Sequence, residues 1–384
     1  MTEKGVLEKS ELDNFDFIYK NRHDYQKAWK EKTGGKILGY FCTYVPEEIL
    51  YAADVLPVRI LGSHETQDVT EPHIHSGMFC PFCRDVLAQG LQHRYDYLDG
   101  IMIAQSCMHL RQAFFSWKIH VPPPFTYYLL HPMHVQSPHA KPYLKAELVK
   151  FKKAVEEWTG KTITDDDLNR GIEIVNKDRR LMKQVYELRK KENPPLTGVE
   201  AMKMVVASQF SDKREHAMLV EAALEELTNR KLDRTTGVRL MIFGSENDDF
   251  EFMEMVENLG ATFVIEDHCT GTRYFWDEVE PNKDPLEAIA NRYVDRIACP
   301  SKDWEERTRG KYLLQFAKDF NVQGAIIIQQ KFCDPHECDI PPLKSLLEEN
   351  GIPCYFLEFD VTVPLGQFRT RVEAFIEQLT LEII

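Results

Sequence analysis

The chain has 384 residues, 43% of them apolar and 28% charged, which is material for two or three packed cores rather than one. With 47 Lys and Arg against 61 Asp and Glu, its net charge of −14 lacks the basic surface that nucleic acid or an anionic membrane would require. The acidic, polar N-terminus does not read as a secretory leader, and no stretch approaches the ~20 apolar residues of a spanning helix. The expected location is therefore the cytoplasm, with neither a nucleic-acid nor a membrane partner.

In chain order, residues 11–33 have the pattern of an amphipathic helix that ends at Gly34 and Gly35. Residues 36–44 (KILGYFCTY) form a short β-rich run. Pro46, followed by Glu47 and Glu48, then marks a helix start, because proline loses no hydrogen bond in a first turn and carboxylates suit the helix dipole. A strand at 57–61, a helix at 84–93, a strand at 100–105 (GIMIAQ) and a helix at 109–117 continue the alternation of a parallel α/β unit. Residues 120–142, rich in Pro, His and Tyr, read as a loop with at most one short strand.

From 143 to 230 the strand signal gives way to long helical stretches, with Thr164–Asp165 as an N-cap and Pro194–Pro195 as a break. A second α/β pattern follows: strands at 238–243, 262–265, 324–329 and 353–358, and helices at 249–259, 311–320 and 342–350. The predicted segments are a helical N-terminus (1–35), a first α/β domain (36–142), a helical middle segment (143–235) and a second α/β domain (236–384).

Nine cysteines are many for a cytoplasmic chain, where thiols serve metal and catalytic sites more often than disulfides. Cys42, Cys107 and Cys333 each follow an apolar strand, and Cys80 and Cys83 form a C-P-F-C before a helix. In open α/β sheets ligands collect beyond the carboxyl ends of the strands, so these thiols are expected to face an interdomain cleft. Only Cys80 and Cys83 have C-x-x-C spacing. A tetrahedral zinc site would normally want a second close pair; Cys333 and Cys338 are spaced more widely, which leaves a zinc ribbon open as the weaker reading. Spacing alone thus reads as a metal or redox site without specifying iron.

Five runs in order carry a resemblance across nearly the whole chain: GYFCTYVPEEILYAADVLPVRILG, FCPFCRDVLAQGL, DGIMIAQSCMHLRQAF, GSENDDFEFMEMVENLGATFVIEDHCTGTRYF and IIIQQKFCDPHECDIP. They resemble the 2-hydroxyacyl-CoA dehydratase and benzoyl-CoA reductase family. The run SCMHLRQAFFSWK is most similar to the small catalytic subunits of class I benzoyl-CoA reductases. The resemblance implies an α/β fold of two flavodoxin-like parallel-sheet domains with a helical segment between them. It also implies a [4Fe–4S] cluster held by cysteines of both domains, with an iron position facing an acyl-CoA thioester. Expected partners are a larger homologous catalytic subunit and an ATP-hydrolysing iron–sulfur activator, itself fed by ferredoxin.

By motif, Cys80, Cys107 and Cys333 take the ligand places, with Cys42 as a fourth ligand or a neighbour of the open site. Cys83 departs from the common family wording, so it can exchange roles with Cys80. Cys269, Cys299, Cys338 and Cys354 are read as structural. His109, two residues after Cys107, is the candidate proton donor, or else a hydrogen-bonded helix-start histidine. Arg273 meets substrate or steadies an interdomain loop. The implied reaction is dearomatisation of benzoyl-CoA to cyclohexa-1,5-diene-1-carbonyl-CoA. The alternative is dehydration of a 2-hydroxyacyl-CoA through a transient ketyl radical. A reading of another class is a metal-stabilised structural partner. The chain has no G-x-x-x-x-G-K-[ST] loop, so ATP is expected to be hydrolysed elsewhere.

Overall fold

The computed structural model describes residues 10–65, 67–361 and 363–383; the first nine residues of the expected N-terminal segment, and Ile384, lie outside the described residues. Among the described residues, eight strands form two sheets. The first contains β1 (Ile37–Tyr40), β2 (Leu56–Arg59), β3 (Gly100–Ala104) and β4 (Thr126–Leu129) in the order β2-β1-β3-β4. The second contains β5 (Val238–Gly244), β6 (Ala261–Asp267), β7 (Gly324–Gln330) and β8 (Cys354–Phe359) in the order β6-β5-β7-β8. Every pairing is parallel. The central strands are buried along their whole length, which is why they read in sequence as continuous apolar runs rather than alternating ones. Each sheet repeats the flavodoxin-like order. The chain reverses its winding between β1 and β3, and again between β5 and β7, creating a crevice at each carboxyl edge.

The middle segment is helical as expected: Ala140–Thr159, Asp165–Leu188, Gly198–Ser208 and Lys213–Asn229. Thr164 and Asp167 close a capping box at the start of Asp165–Leu188, and Thr197 and Glu200 do the same for Gly198–Ser208. The helix Asp165–Leu188 lies against the short helix Glu47–Ala52 of the first unit. Gly171 permits the approach, since a Cβ there would stand 2.1 Å from the carbonyl oxygen of Glu48. At the N-terminus the expected helix is two, Asp13–Lys20 and Arg22–Thr33. The second stops where Gly34 adopts a left-handed conformation, φ 65°.

Several elements differ from expectation, the split N-terminal helix being the first. The run at 36–44 is a strand only to Tyr40, so residues 41–44 become the loop that carries Cys42. The helix expected from 84 begins at Pro81, with Cys80 as its N-cap. The helix expected at 342–350 is Asp334–Glu349: Pro335 occupies the first turn, and Pro341 and Pro342 are carried inside the helix instead of starting it. Helices Pro285–Asp295 and Leu365–Ile383 complete the second unit. Among the described residues, no helix is long and apolar enough to cross a membrane.

A buried polar seam joins the units. Glu48 pairs with Arg179 at 2.8 Å and accepts from the Tyr293 hydroxyl at 3.1 Å. Glu47 accepts from the hydroxyls of Tyr40 and Tyr274, at 2.9 and 2.7 Å. Glu266 pairs with Arg189 at 2.8 Å, and inside the second unit Arg309 pairs with both Asp267 and Asp339. Glu47 and Glu48 sit in the first turn of Glu47–Ala52, as the sequence suggests, and are also buried partners of other segments.

Candidate functional site

The carboxyl edges of the two sheets face one cavity with about 700 Å³ of open space including its mouth. Seven cysteines line it: Cys42, Cys80, Cys83, Cys107, Cys269, Cys299 and Cys333. Cys42 follows β1, Cys107 follows β3, Cys269 follows β6 and Cys333 follows β7. Cys80, Cys107 and Cys333 are each the N-cap of a helix: Pro81–Leu91, Met108–His120 and Asp334–Glu349 respectively. Free backbone N–H groups and the positive end of the dipole meet at a helix N-terminus, and both favour a thiolate.

Four of the thiols form a continuous run. The side chain of Cys80 is within hydrogen-bond reach of those of Cys333 and Cys83, and Cys83 reaches Cys107. The contacts to Cys333 and Cys83 hold Cys80 well below the usual thiol range. Cys107 is lowered by its bond to Cys83. Their partners move the other way: burial raises Cys83, and the bond to Cys80 raises Cys333. Backbone N–H groups assist, that of Cys83 pointing to Cys80, that of Leu110 to Cys107 and that of Tyr44 to Cys42. Burial nevertheless pushes Cys42 up to about 11.

All nine cysteines are free thiols. Among the described residues, no three His, Cys, Asp or Glu side chains converge on a point suited to a single metal ion. A cubane takes its thiolates at separate corners, so its ligands need not converge in that way. The donor set, with thiols from both units, helix N-termini and amide N–H groups, fits an iron–sulfur cluster.

All four expected ligands, Cys42, Cys80, Cys107 and Cys333, are on this cavity, and so is Cys83. His109 is in the first turn of Met108–His120 but stands behind Cys80. Its Nδ1 accepts the Cys80 backbone N–H at 3.1 Å, and its ring stacks on Phe79 at 4.6 Å. The Cys80 side chain raises its pKa. Arg273 also reaches the cavity. It is bound to Asp267 at 3.1 Å and donates to the carbonyl of Gly244 at 2.8 Å, which ties the β5 and β6 exits together.

Cys338 is exposed, and Cys354 sits on β8 outside the cavity. Cys269 and Cys299, read from sequence as structural, line the cavity wall. Cys269 had a usable signal, an apolar strand just before it. Cys299 had none, because it arrives after a helix. Sequence reasoning also passed over three buried cations at this end of the molecule. Arg59 donates to the Cys269 sulfur at 3.0 Å, Arg296 to the Thr43 carbonyl at 2.7 Å and Lys302 to the Gln105 carbonyl at 2.7 Å.

The family model described as 2-hydroxyglutaryl-CoA dehydratase, D-component, matches residues 42–379. The (R)-phenyllactyl-CoA dehydratase beta subunit of Clostridium sporogenes is 27% identical, over 96% of this chain and 98% of its own length. A benzoyl-CoA reductase subunit of Thauera aromatica is 27% identical, over 89% of this chain and 90% of its own. The (R)-2-hydroxyglutaryl-CoA dehydratase beta subunit of Acidaminococcus fermentans is 26% identical, over 90% and 93%. The chain belongs to the 2-hydroxyglutaryl-CoA dehydratase D-component family.

Proposed function

We propose that this member of the family is a cluster-bearing catalytic subunit of an ATP-dependent enzyme that delivers single low-potential electrons to an acyl-CoA. The observation that carries the reading is the ring of thiols from both α/β units around one cavity, three of them at helix N-termini. In this reading Cys80, Cys107 and Cys333 hold a [4Fe–4S] cluster. Cys83 can exchange with Cys80, and Cys42 stands as a fourth ligand or beside an open iron position. When bound, the cluster supplies the one-electron chemistry that acid–base groups cannot perform on an aromatic ring or an unactivated β-carbon.

The chain's own residues set the conditions for that chemistry. Phe41, Phe82, Leu110 and Pro335 form apolar parts of the cavity wall and limit water. Gln330 accepts the Phe82 N–H at 2.9 Å and binds Glu246 with its amide at 2.9 Å, fixing the turn that presents Cys80. His109 anchors the Cys80 backbone and is the nearby candidate for proton delivery.

The specific reaction proposed is the reduction of benzoyl-CoA to cyclohexa-1,5-diene-1-carbonyl-CoA. It would proceed in a cytoplasmic complex with a larger homologous subunit, an ATP-hydrolysing iron–sulfur activator and ferredoxin as donor. The second reading, dehydration of a 2-hydroxyacyl-CoA, is favoured by the family description and by the phenyllactyl-CoA and 2-hydroxyglutaryl-CoA dehydratase relatives. The test is turnover by the complete complex, without oxygen, with ATP and a strong reductant. Loss of benzoyl-CoA with formation of the diene supports the first reading, and consumption of a 2-hydroxyacyl-CoA alone moves the chain to the second. Turnover by this chain without ATP or partners would overturn both.

A further inference from the structure

Reducing an acyl group, or expelling its hydroxyl as water, consumes protons as well as electrons. The cavity therefore needs a group that carries a proton at neutral pH and meets the substrate. His109 stands behind Cys80 and is not among the residues that form the cavity wall. Among the described residues that do form it, the choice is narrow. The guanidinium groups of Arg59, Arg273 and Arg296 do not give up a proton. Burial, and then the Arg273 charge, hold His336 well below the usual imidazole range, so it is neutral and a poor acid. Glu246 is the one carboxyl group in the wall.

Glu246 lies in the loop between β5 and helix Phe250–Asn258 and is 8% exposed. Its Oε2 accepts from Gln330 Nε2 at 2.9 Å, while its buried Oε1 has no partner among the described residues. Burial, and then the Asp248 charge, push the carboxyl up to about 8, against the opposing pull of Arg59 and His64. Asp248 is in the opposite state: burial would raise it, but His64 at 2.7 Å holds it low. Tyr19, Arg22 and Cys269 also face this pair, and Asp249 faces His64. Two carboxyls whose surroundings drive them apart mark a proton carrier and its charged neighbour. The loop also spans the wall. Asp248 and His64 line a separate groove on the outside, where the His64 side chain is 26% exposed.

We propose that Glu246 is the catalytic proton donor of the cavity, and that Asp248 and His64 return a proton to it from the outer groove. In the reductive reading, each electron that enters the substrate is matched by one proton. The Glu246 O–H bond breaks and a C–H bond forms on the acyl group. The carboxylate left behind takes a proton that His64 passes through Asp248 and regains from water. In the dehydration reading the same proton goes to the departing hydroxyl, which leaves as water; the β-proton goes to solvent and the electron is returned. The inference rests on the reading that single electrons reach an acyl-CoA in this cavity.

Infrared spectra of the full chain, purified without oxygen, read the carboxyl directly, whether or not the enzyme turns over. The wild type at pH 7 should show a protonated carboxyl C=O band that E246Q lacks and that fades as pH rises through about 8. Identical spectra at pH 7 would mean that Glu246 is charged there, which overturns the proposal. The second measurement is turnover by the complete complex with ATP and a strong reductant. E246Q, which keeps an oxygen for Gln330, should retain its iron and its KM while kcat falls at least about 100-fold. H64Q should lower kcat with KM unchanged. Equal kcat in the wild type and E246Q would overturn the donor, and equal kcat in the wild type and H64Q would overturn the return path. A wild-type complex that turns over no acyl-CoA overturns the underlying reading instead.

Discussion

The seam between the two α/β units and the cavity it borders are both buried and both polar, yet they are built on opposite terms. In the seam, charges meet charges: Glu48 with Arg179, and Glu266 with Arg189. In the cavity wall, thiols outnumber carboxylates, and Arg59 and Arg296 find neutral oxygens or sulfur instead, as Lys302 does next to Tyr44. A satisfied network fixes two bodies against each other, whereas an unsatisfied one is completed by something else. The seam therefore carries rigidity, and the cavity carries chemistry.

The largest expected effect breaks the cavity side. Cys107→Ala and Cys333→Ala should each lose most of the iron retained after anaerobic purification, whereas Cys354→Ala, on β8 away from the cavity, should keep it. Equal iron in all three would place the site elsewhere. On the seam side, Glu48→Gln leaves the Arg179 charge buried without its partner and should cost about 3–5 kcal/mol in denaturant unfolding of the apo-protein. A change within error would show that the seam is not what locks the units.

A milder probe is pH. His64 Nε2 meets Asp248 at 2.7 Å, joining a loop of the first unit to the second. Burial alone would lower the imidazole, but Asp248, with Glu246 and Asp249 nearby, raises it to about 10. A pKa raised on folding means stability present in full below about pH 6.5 and lost as pH rises through about 10. The unfolding midpoint should fall over that window in the wild type and less in His64→Gln; identical slopes would remove His64 from the seam. The smallest effect is at the capping box, where Thr164→Ala should cost about 1 kcal/mol and leave iron content unchanged.

Much of the fold was legible because its signals are local. Continuous apolar runs marked the buried strands, Gly34 marked a helix end, and Thr164 marked a helix start. Prolines misled at one place: Pro342 reads as a helix start, but the first turn is at Pro335, and the helix carries Pro341 and Pro342 in its interior. For the site, the strand-exit position singled out Cys42, Cys107 and Cys333, and the C-P-F-C spacing singled out Cys80 and Cys83. The roles of Glu47, Glu48 and Arg59 were hidden, since their partners lie as far along the chain as Tyr274, Tyr293 and Cys269.

The sequence by itself determined the α/β class, the helical middle segment, the thiols at strand exits and the family resemblance, all of which are written in residues close to one another. Only the tertiary structure decided that the two sheets turn their carboxyl edges to one cavity, that Cys269 and Cys299 join the other thiols there, and that Arg59, Arg296 and Lys302 bond to neutral oxygens or sulfur at this end of the molecule. Those facts depend on contacts between segments more than a hundred residues apart. Periodicity and capping chemistry act within a few residues and carry no information about which distant side chain completes a site.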